Sequence, residues 1–396
     1  MHCFIRNPSL SNTESGNWFQ LPAEVTVSRF LSHIKTSDAK LLNKYGRKPP
    51  HIDLNSGIIP LGSPRYTQAV LFGAQEECSN ILDDAACRSA PQTPLLRDIY
   101  GPEPEEYPGS KINMPRYLSS PAAIGRVADL RSIYSRSNDI LETNAGEQYN
   151  NQQILARIFG KQEYVRSVRA DVFRHKSLIP VFPPGLDNGR NIELGTNYEF
   201  GMGLDYTGSV FQDLSNSVTD MRFVAFRDPP TITWASLPPT SAFENLVQLP
   251  QDLLTGFPFA PPRASSIPGS NPPLHPDLDN LPGENVTWPD VELLTNIVVP
   301  STSVPAVLNL HGNVTLQDEW WRKMWFQPFG RALLRQWLRG PEEGVATEGG
   351  QWRWDIWGGK GGVWTSGGTW LDWNEVCGGF EEEVFGDGRG RFGGEM

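Results

Sequence analysis

Residues 69–74, Ala-Val-Leu-Phe-Gly-Ala, form an unbroken apolar run that closes on two small residues. A run this short and this apolar reads as a strand buried on both faces. Two helical stretches follow. Arg126–Leu141 sets Val127, Leu130, Tyr134 and Leu141 near one helix face, and Gln148–Arg169 sets Ile154, Ile158 and Phe159 on another. Met221–Phe226 alternates and reads as a strand. Val304–Leu310 reads as a further strand that ends at His311-Gly312. Glu319–Leu338 is helical in pattern, apolar at Trp321, Trp325, Leu333 and Trp337, with Pro328 kinking it. Strands alternating with helices predict an α/β sheet whose site lies at the strand ends.

Composition divides the rest of the chain. The 396 residues suffice for a sizeable core. Residues 1–17 read as an irregular N-terminus, and 18–340 as one globular body. That body is interrupted at 228–292, which holds 14 of the 34 prolines. Proline fixes φ and removes a donor, so this stretch reads as an extended, mobile insertion. Residues 341–396 are a Gly/Trp-rich tail. From 340 onward the chain holds 17 of the 38 glycines, with Trp352, Trp354, Trp357, Trp364, Trp370 and Trp373 between them. These read as tight hairpins whose indoles cover the body, or as a platform for sugar rings. Gly386–Met396 reads as a mobile end.

Charge excludes one class of partner. The net charge is −11 and no dense Lys/Arg patch occurs, which argues against nucleic acid. Apolar runs stay far short of the roughly 18–20 residues of a membrane helix. The first residues do not make a signal peptide, because Pro8 interrupts a short apolar stretch. Cys78 and Cys87 are compatible with a small disulfide loop in an oxidising compartment or with two buried thiols. Asn285-Val-Thr and Asn313-Val-Thr are glycosylation sequons and lean toward the secretory route.

Few residues carry chemistry by pattern alone. His311, at a predicted strand end before Gly312-Asn313, suits a metal or phosphate site and equally an ordinary loop. Glu147-Gln148 opens a predicted helix, where such groups serve as caps. Asp205 is a candidate turn-forming carboxylate. Asp277-Leu-Asp279 is formally D-x-D but lies among prolines with no strand before it, and Asp83-Asp84 reads as a turn.

In order, however, five segments make a series. They are Phe72-Gly-Ala-Gln-Glu-Glu-Cys78; Arg116-Tyr-Leu-Ser-Ser120 with Ile124-Gly125; Glu147-Gln148; Leu204-Asp205 through Phe211-Gln212-Asp213-Leu214, with Asp220; and Leu310-His-Gly-Asn313. The series resembles the glycosyltransferase domain of the procollagen-lysine glycosyltransferases, and more closely a set of fungal proteins similar to it. The resemblance covers roughly residues 20–226 and 293–340. It implies a GT-A fold, a Rossmann-like α/β domain that moves a sugar from a UDP-sugar to a hydroxyl of a glycan or protein, with a divalent metal, usually manganese. It also implies the lumen of the secretory pathway. By that resemblance His311 is a metal ligand, and Glu147 and Gln148 line the sugar pocket as the catalytic pair. Gly73, Ala74, Ser119, Ser120, Gly312 and Asn313 lie at the nucleotide.

The departures define an alternative. The family's D-x-x-D metal motif belongs where Glu14-Ser15-Gly16-Asn17-Trp18 stands, so the GT-A domain is expected to be N-terminally incomplete. Ser119-Ser120-Pro121 replaces Asn-Ser-Gly, and Ser79-Asn80 replaces Trp-Pro after Cys78. The competing expectation is a pseudoenzyme that binds a glycan or a protein partner without transfer.

Overall fold

The computed structural model describes residues 16–48, 62–80, 84–96, 114–143, 149–175, 192, 195–215, 217–227, 248–259, 275–298, 304–310, 314–339, 345–346, 352–353, 362–364, 369–372 and 384–389. Its elements run β1 (Asn17–Phe19), α1 (Ala23–Tyr45), β2 (Val70–Gln75), α2 (Ala85–Arg88), β3 (Tyr117–Gly125), α3 (Val127–Thr143) and α4 (Asn151–His175). Then come β4 (Met202–Asp205), β5 (Phe211–Asp213), β6 (Met221–Ala225), β7 (Glu292–Asn296), β8 (Val307–Asn309), α5 (Val314–Trp321) and α6 (Gly330–Arg339). In the tail, β9 (Val345–Ala346) pairs with β10 (Trp352–Arg353), and β11 (Gly362–Trp364) with β12 (Trp370–Asp372), both antiparallel.

The fold is mixed α/β. Its six-stranded sheet has the order β1-β8-β5-β2-β3, with β4 also paired to β2. Strands β2, β4, β5 and β8 are mutually parallel, while β3 and β1 run antiparallel on the two flanks. The chain leaves β2 toward β3 and returns on the other side of β2 through β4 and β5. The order of strands therefore reverses between β2 and β5, which is the kind of position where open α/β sheets bind ligands.

The buried run is the reason the sheet has two covered faces. Val70 and Phe72 point to a core with Ile133, Ile154, Leu155 and Phe159 of the helices, while Leu71 points to one with Phe211, Leu253, Trp288 and Leu293. All three are 0% exposed, as a strand covered on both faces requires. Helix α4 buries the predicted Ile154, Ile158 and Phe159. Helix α3 turns differently from the expected phase. Ile133 and Ser137 are its buried residues, whereas Val127 and Tyr134 face solvent at 61% and 44% exposure. Leu130 and Leu141 do pack on the core. Two apolar stripes about 100° apart were available on this helix, and the tertiary contact selects one of them.

Three expectations are corrected. The proline-rich stretch is not a spacer in its described parts, 248–259 and 275–292. Leu253, Phe259, Leu278 and Trp288 from it are buried, and β7 pairs with β6 along five residues. Apolar residues between the prolines are what fix it to the body. Buried Gln20 ties this layer to the main sheet, exchanging hydrogen bonds with the Leu294 N–H (2.7 Å) and carbonyl (3.0 Å). Pro328 breaks the last helix instead of kinking it, since a 3-10 turn at Gln327–Phe329 separates α5 from α6. Residues 384–389 are docked, not mobile. Phe385 is buried under the Arg331 guanidinium, and Asp387 pairs with Arg331 at 2.6 Å.

Cys78 and Cys87 form a disulfide. Asp84, inside that loop, accepts from the Ala86 N–H at 2.8 Å and caps α2. Helix α2 then lies directly on α4, where a Cβ on Gly160 would come within 2.3 Å of the Ala85 carbonyl oxygen. No helix among the described residues is long and apolar enough to cross a membrane.

Candidate functional site

The carboxyl ends of the parallel strands gather residues from distant parts of the chain. Ser119 of β3 donates its hydroxyl to Asp213 Oδ2 at the end of β5. Asn309 Nδ2 of β8 donates to the same oxygen at 3.3 Å, and the Ser215 N–H donates to Asp213 Oδ1 at 2.8 Å. Asn17 of β1 lies in register opposite Asn309, and Asn309 opposite Asp213. Registered residues on neighbouring strands carry their side chains on one face. Asn17, Asn309 and Asp213 thus form a polar row across three strands, and Ser119 closes it from β3. Ser119, Asp213 and Asn309 are all buried, so the carboxylate depends on these donors.

Asn17 is the unusual member. Its Nδ2 donates to the Pro121 carbonyl at 2.7 Å, and its Oδ1 is buried with no hydrogen-bond partner among the described residues. A buried acceptor without a donor is costly and needs a reason. This residue stands within the segment that replaces the expected D-x-x-D motif.

The bulge in β3 makes this contact. Phe72 faces Ala123 but Gly73 faces Ser119, so Ser120-Pro121-Ala122 loops out of the ladder. A bulge is one of the few places where a sheet accepts proline. Gly73 and Ala74 lie beneath. A Cβ on Gly73 would sit 3.5 Å from those of Ser119 and Phe211, and Ala74 pairs with Leu118 and Gln212. The Ser120 N–H donates to Gln152 Oε1 at 2.7 Å, and Gln152 Nε2 donates to the Leu118 carbonyl at 2.5 Å. The first turn of α4 is thereby held on β3 beside the row.

A second layer supports the row from below. Gln212 Nε2 donates to Ser217 Oγ at 2.9 Å, and Gln212 Oε1 accepts from Asn296 Nδ2 at 3.2 Å. Gly208, at φ 67°, leaves room for Gln212, whose Oε1 a Cβ would approach to 2.3 Å. Asp205 has the turn-forming role. Its Oδ2 accepts from the Val210 and Phe211 N–H groups at 2.6 and 3.0 Å, and its Oδ1 accepts from the Thr207 N–H and Oγ1. It shapes the connection from β4 to β5.

Of the predicted site residues, Gly73, Ala74, Ser119 and Ser120 come together here. Glu147, Gln148, His311, Gly312 and Asn313 lie outside the described residues. Asn17, Gln152, Asp213 and Asn309 were not predicted as site residues. Asp213 and Asn309 stand inside or next to the quoted motifs, so a strand-end register was the missing signal. Among the described residues no three His, Cys, Asp or Glu side chains cluster as a metal site. The formal D-x-D at 277–279 is structural: Asp279 accepts from Arg335 Nε at 2.9 Å and Nη2 at 3.2 Å.

Comparison with known protein families, with curated proteins and with solved structures gives no significant match.

Proposed function

We propose that this chain is a glycosyltransferase-like protein of GT-A type that binds a UDP-sugar at the carboxyl ends of β2, β5 and β8. The observation that carries the reading is the polar row. Segments of the motif series far apart in sequence, around Gly73, Ser119 and Asp213, meet at the strand ends beside the switch in strand order. Such a position is where a diphosphate is held in open α/β sheets.

In this reading the Ser119 hydroxyl and Asn309 amide fix the Asp213 carboxylate. Gly73 and Ala74, small residues toward the end of β2, would lie beneath the nucleotide. By the motif resemblance Glu147 and Gln148 would orient sugar hydroxyls. A divalent cation such as manganese suits oxygen donors of this kind; Asn17 and Asp213 would hold it, with His311 as the motif resemblance implies. When bound, it would neutralise the diphosphate leaving group. The acceptor is a hydroxyl of a glycan or protein. The Cys78–Cys87 disulfide fits an oxidising compartment such as the secretory lumen.

A second reading is favoured by one observation. Both oxygens of Asp213 and of Asp205 already accept hydrogen bonds within the protein. A member with its carboxylates so engaged would bind the sugar nucleotide or a glycan without transfer.

Titration calorimetry with UDP, with and without manganese, separates these outcomes. The transferase reading expects UDP binding that strengthens with manganese and weakens in Asp213→Asn and His311→Ala, together with turnover of a UDP-sugar. Binding without turnover supports the second reading. No UDP binding at millimolar concentration under either condition refutes the strand-end site.

A further inference from the structure

Helix α1 carries a polar stripe along an open edge of the molecule. Its one fully buried residue is Thr26, while Val27 and Leu31 are 46% and 59% exposed. Along that edge Ser32, Thr36, Lys40 and Lys44 are exposed at i, i+4 spacing, His33 and Ser37 beside them are half-buried, and all six line the space between α1 and the sheet. Between the helix and β4 lies a cavity of about 600 Å³. That falls within the roughly 300–1,000 Å³ of small-molecule sites.

The cavity is built, not merely left over. Arg29 spans its rim, donating to the Ser209 carbonyl at 2.7 Å, the Val304 carbonyl at 2.5 Å and Asp252. Arg166, itself buried, braces the opposite wall through Glu163 at 2.7 Å and Glu199. The floor is apolar, made by Phe159, Met202 and Leu204, while Thr207 and Ser209 add hydroxyls from the β4–β5 turn. Strand β4 pairs with β2 alone among the described residues, so its other side borders the space.

The charges do not cancel. Two carboxylates line the cavity, Asp252 and Glu163, and each is held by an arginine of the wall. Lys40 and Lys44 line it as well, with no acidic partner within 4 Å among the described residues. Two such ammonium groups on a chain of net charge −11 mark a local site for negative charge. None of Asn17, Ser119, Asp213 and Asn309 lines this space.

We propose that this cavity binds a small organic anion, a phosphate or carboxylate on a ring or short apolar body. The anionic group sits at Lys40 and Lys44 among the α1 hydroxyls, and the apolar part rests on Phe159, Met202 and Leu204. The site is separate from the strand-end site and does not depend on it.

Calorimetry on the full chain with phenyl phosphate, benzoate and neutral cyclohexanol, at constant ionic strength, tests this. At least one of the two anions binds with one-to-one stoichiometry, and cyclohexanol binds more weakly. Lys40→Gln with Lys44→Gln weakens the anion at least about tenfold, as loss of charge-assisted hydrogen bonds requires. Thr36→Trp, which fills the space from the exposed side of α1, abolishes binding and serves as a check independent of charge. Both lysines are exposed, and circular dichroism confirms that the variants fold. The proposal is overturned if neither anion binds below about 10 mM, or if binding survives both kinds of variant. Displacement of the bound anion by UDP would also overturn it, because it would merge the two sites. If UDP fails to bind anywhere, the strand-end reading falls and the anion titration still stands by itself.

Discussion

Replacing Asp205 with alanine removes the acceptor around which the β4–β5 connection is folded. Its side chain takes four hydrogen bonds, two from the N–H groups of Val210 and Phe211 at 2.6 and 3.0 Å, and two from Thr207 at 3.2 and 2.9 Å. Val210 is 0% and Phe211 6% exposed, so water does not readily replace the lost acceptor for their N–H groups. A buried donor left unpaired costs about 1–3 kcal/mol, giving about 2–6 kcal/mol for the pair. The Thr207 groups are half-buried and contribute less. Against a total stability of about 5–15 kcal/mol, this is a severe loss. Asp205→Asn keeps one acceptor oxygen and is expected to cost about half as much. Equilibrium urea unfolding followed by tryptophan fluorescence measures both, with an unchanged denaturant slope as the control. A loss below about 1 kcal/mol in the alanine variant would refute the turn-forming role. An asparagine variant less stable than the alanine variant would do so too.

Three further perturbations probe other parts of the structure. Arg335→Ala or Asp279→Ala breaks an ion pair whose side chains are 6% and 7% exposed, and each single change should cost about 3–5 kcal/mol. Unchanged thermal stability in both would show that the proline-rich segment is not anchored there. Burial holds the His33 imidazole below its ordinary value of 6.5, with Asp205 pulling it up and Lys40 pushing it down. The unfolded chain therefore takes up the proton first, and stability falls as pH drops below about 6.5. Urea midpoints at pH 7.5 and 5.5 should differ less in His33→Gln than in the wild type, and equal differences would contradict this. Opening the Cys78–Cys87 loop, nine residues apart in sequence, by Cys78→Ser with Cys87→Ser should cost about 2–3 kcal/mol in chemical denaturation. Insensitivity of the midpoint to the double change would argue that the loop is held by α2 and Gly160 alone.

Elements whose signal is local were legible before any contact was known. Val70-Leu-Phe72 could only be a strand covered on both faces, because nothing polar interrupts it. The apolar side of α4 was legible from Ile154, Ile158 and Phe159, and the alternation at Met221–Phe226 gave β6. Gly73, Ala74, Ser119 and Ser120 were singled out because they lie in short ordered motifs. What depends on alignment between distant segments was decided by the tertiary structure alone. Which of two stripes on α3 faces the core was set by contact with the sheet. Asn17, Asn309 and Asp213 become a row only through strand register, which no spacing in the sequence encodes. The proline-rich stretch looked like a spacer by composition, yet Leu253, Phe259, Leu278 and Trp288 bury enough apolar surface to fix it. On α1, the exposed stripe of Ser32, Thr36, Lys40 and Lys44 looks in sequence like any other solvent-facing stripe, and only the tertiary structure shows that it borders a space beside β4.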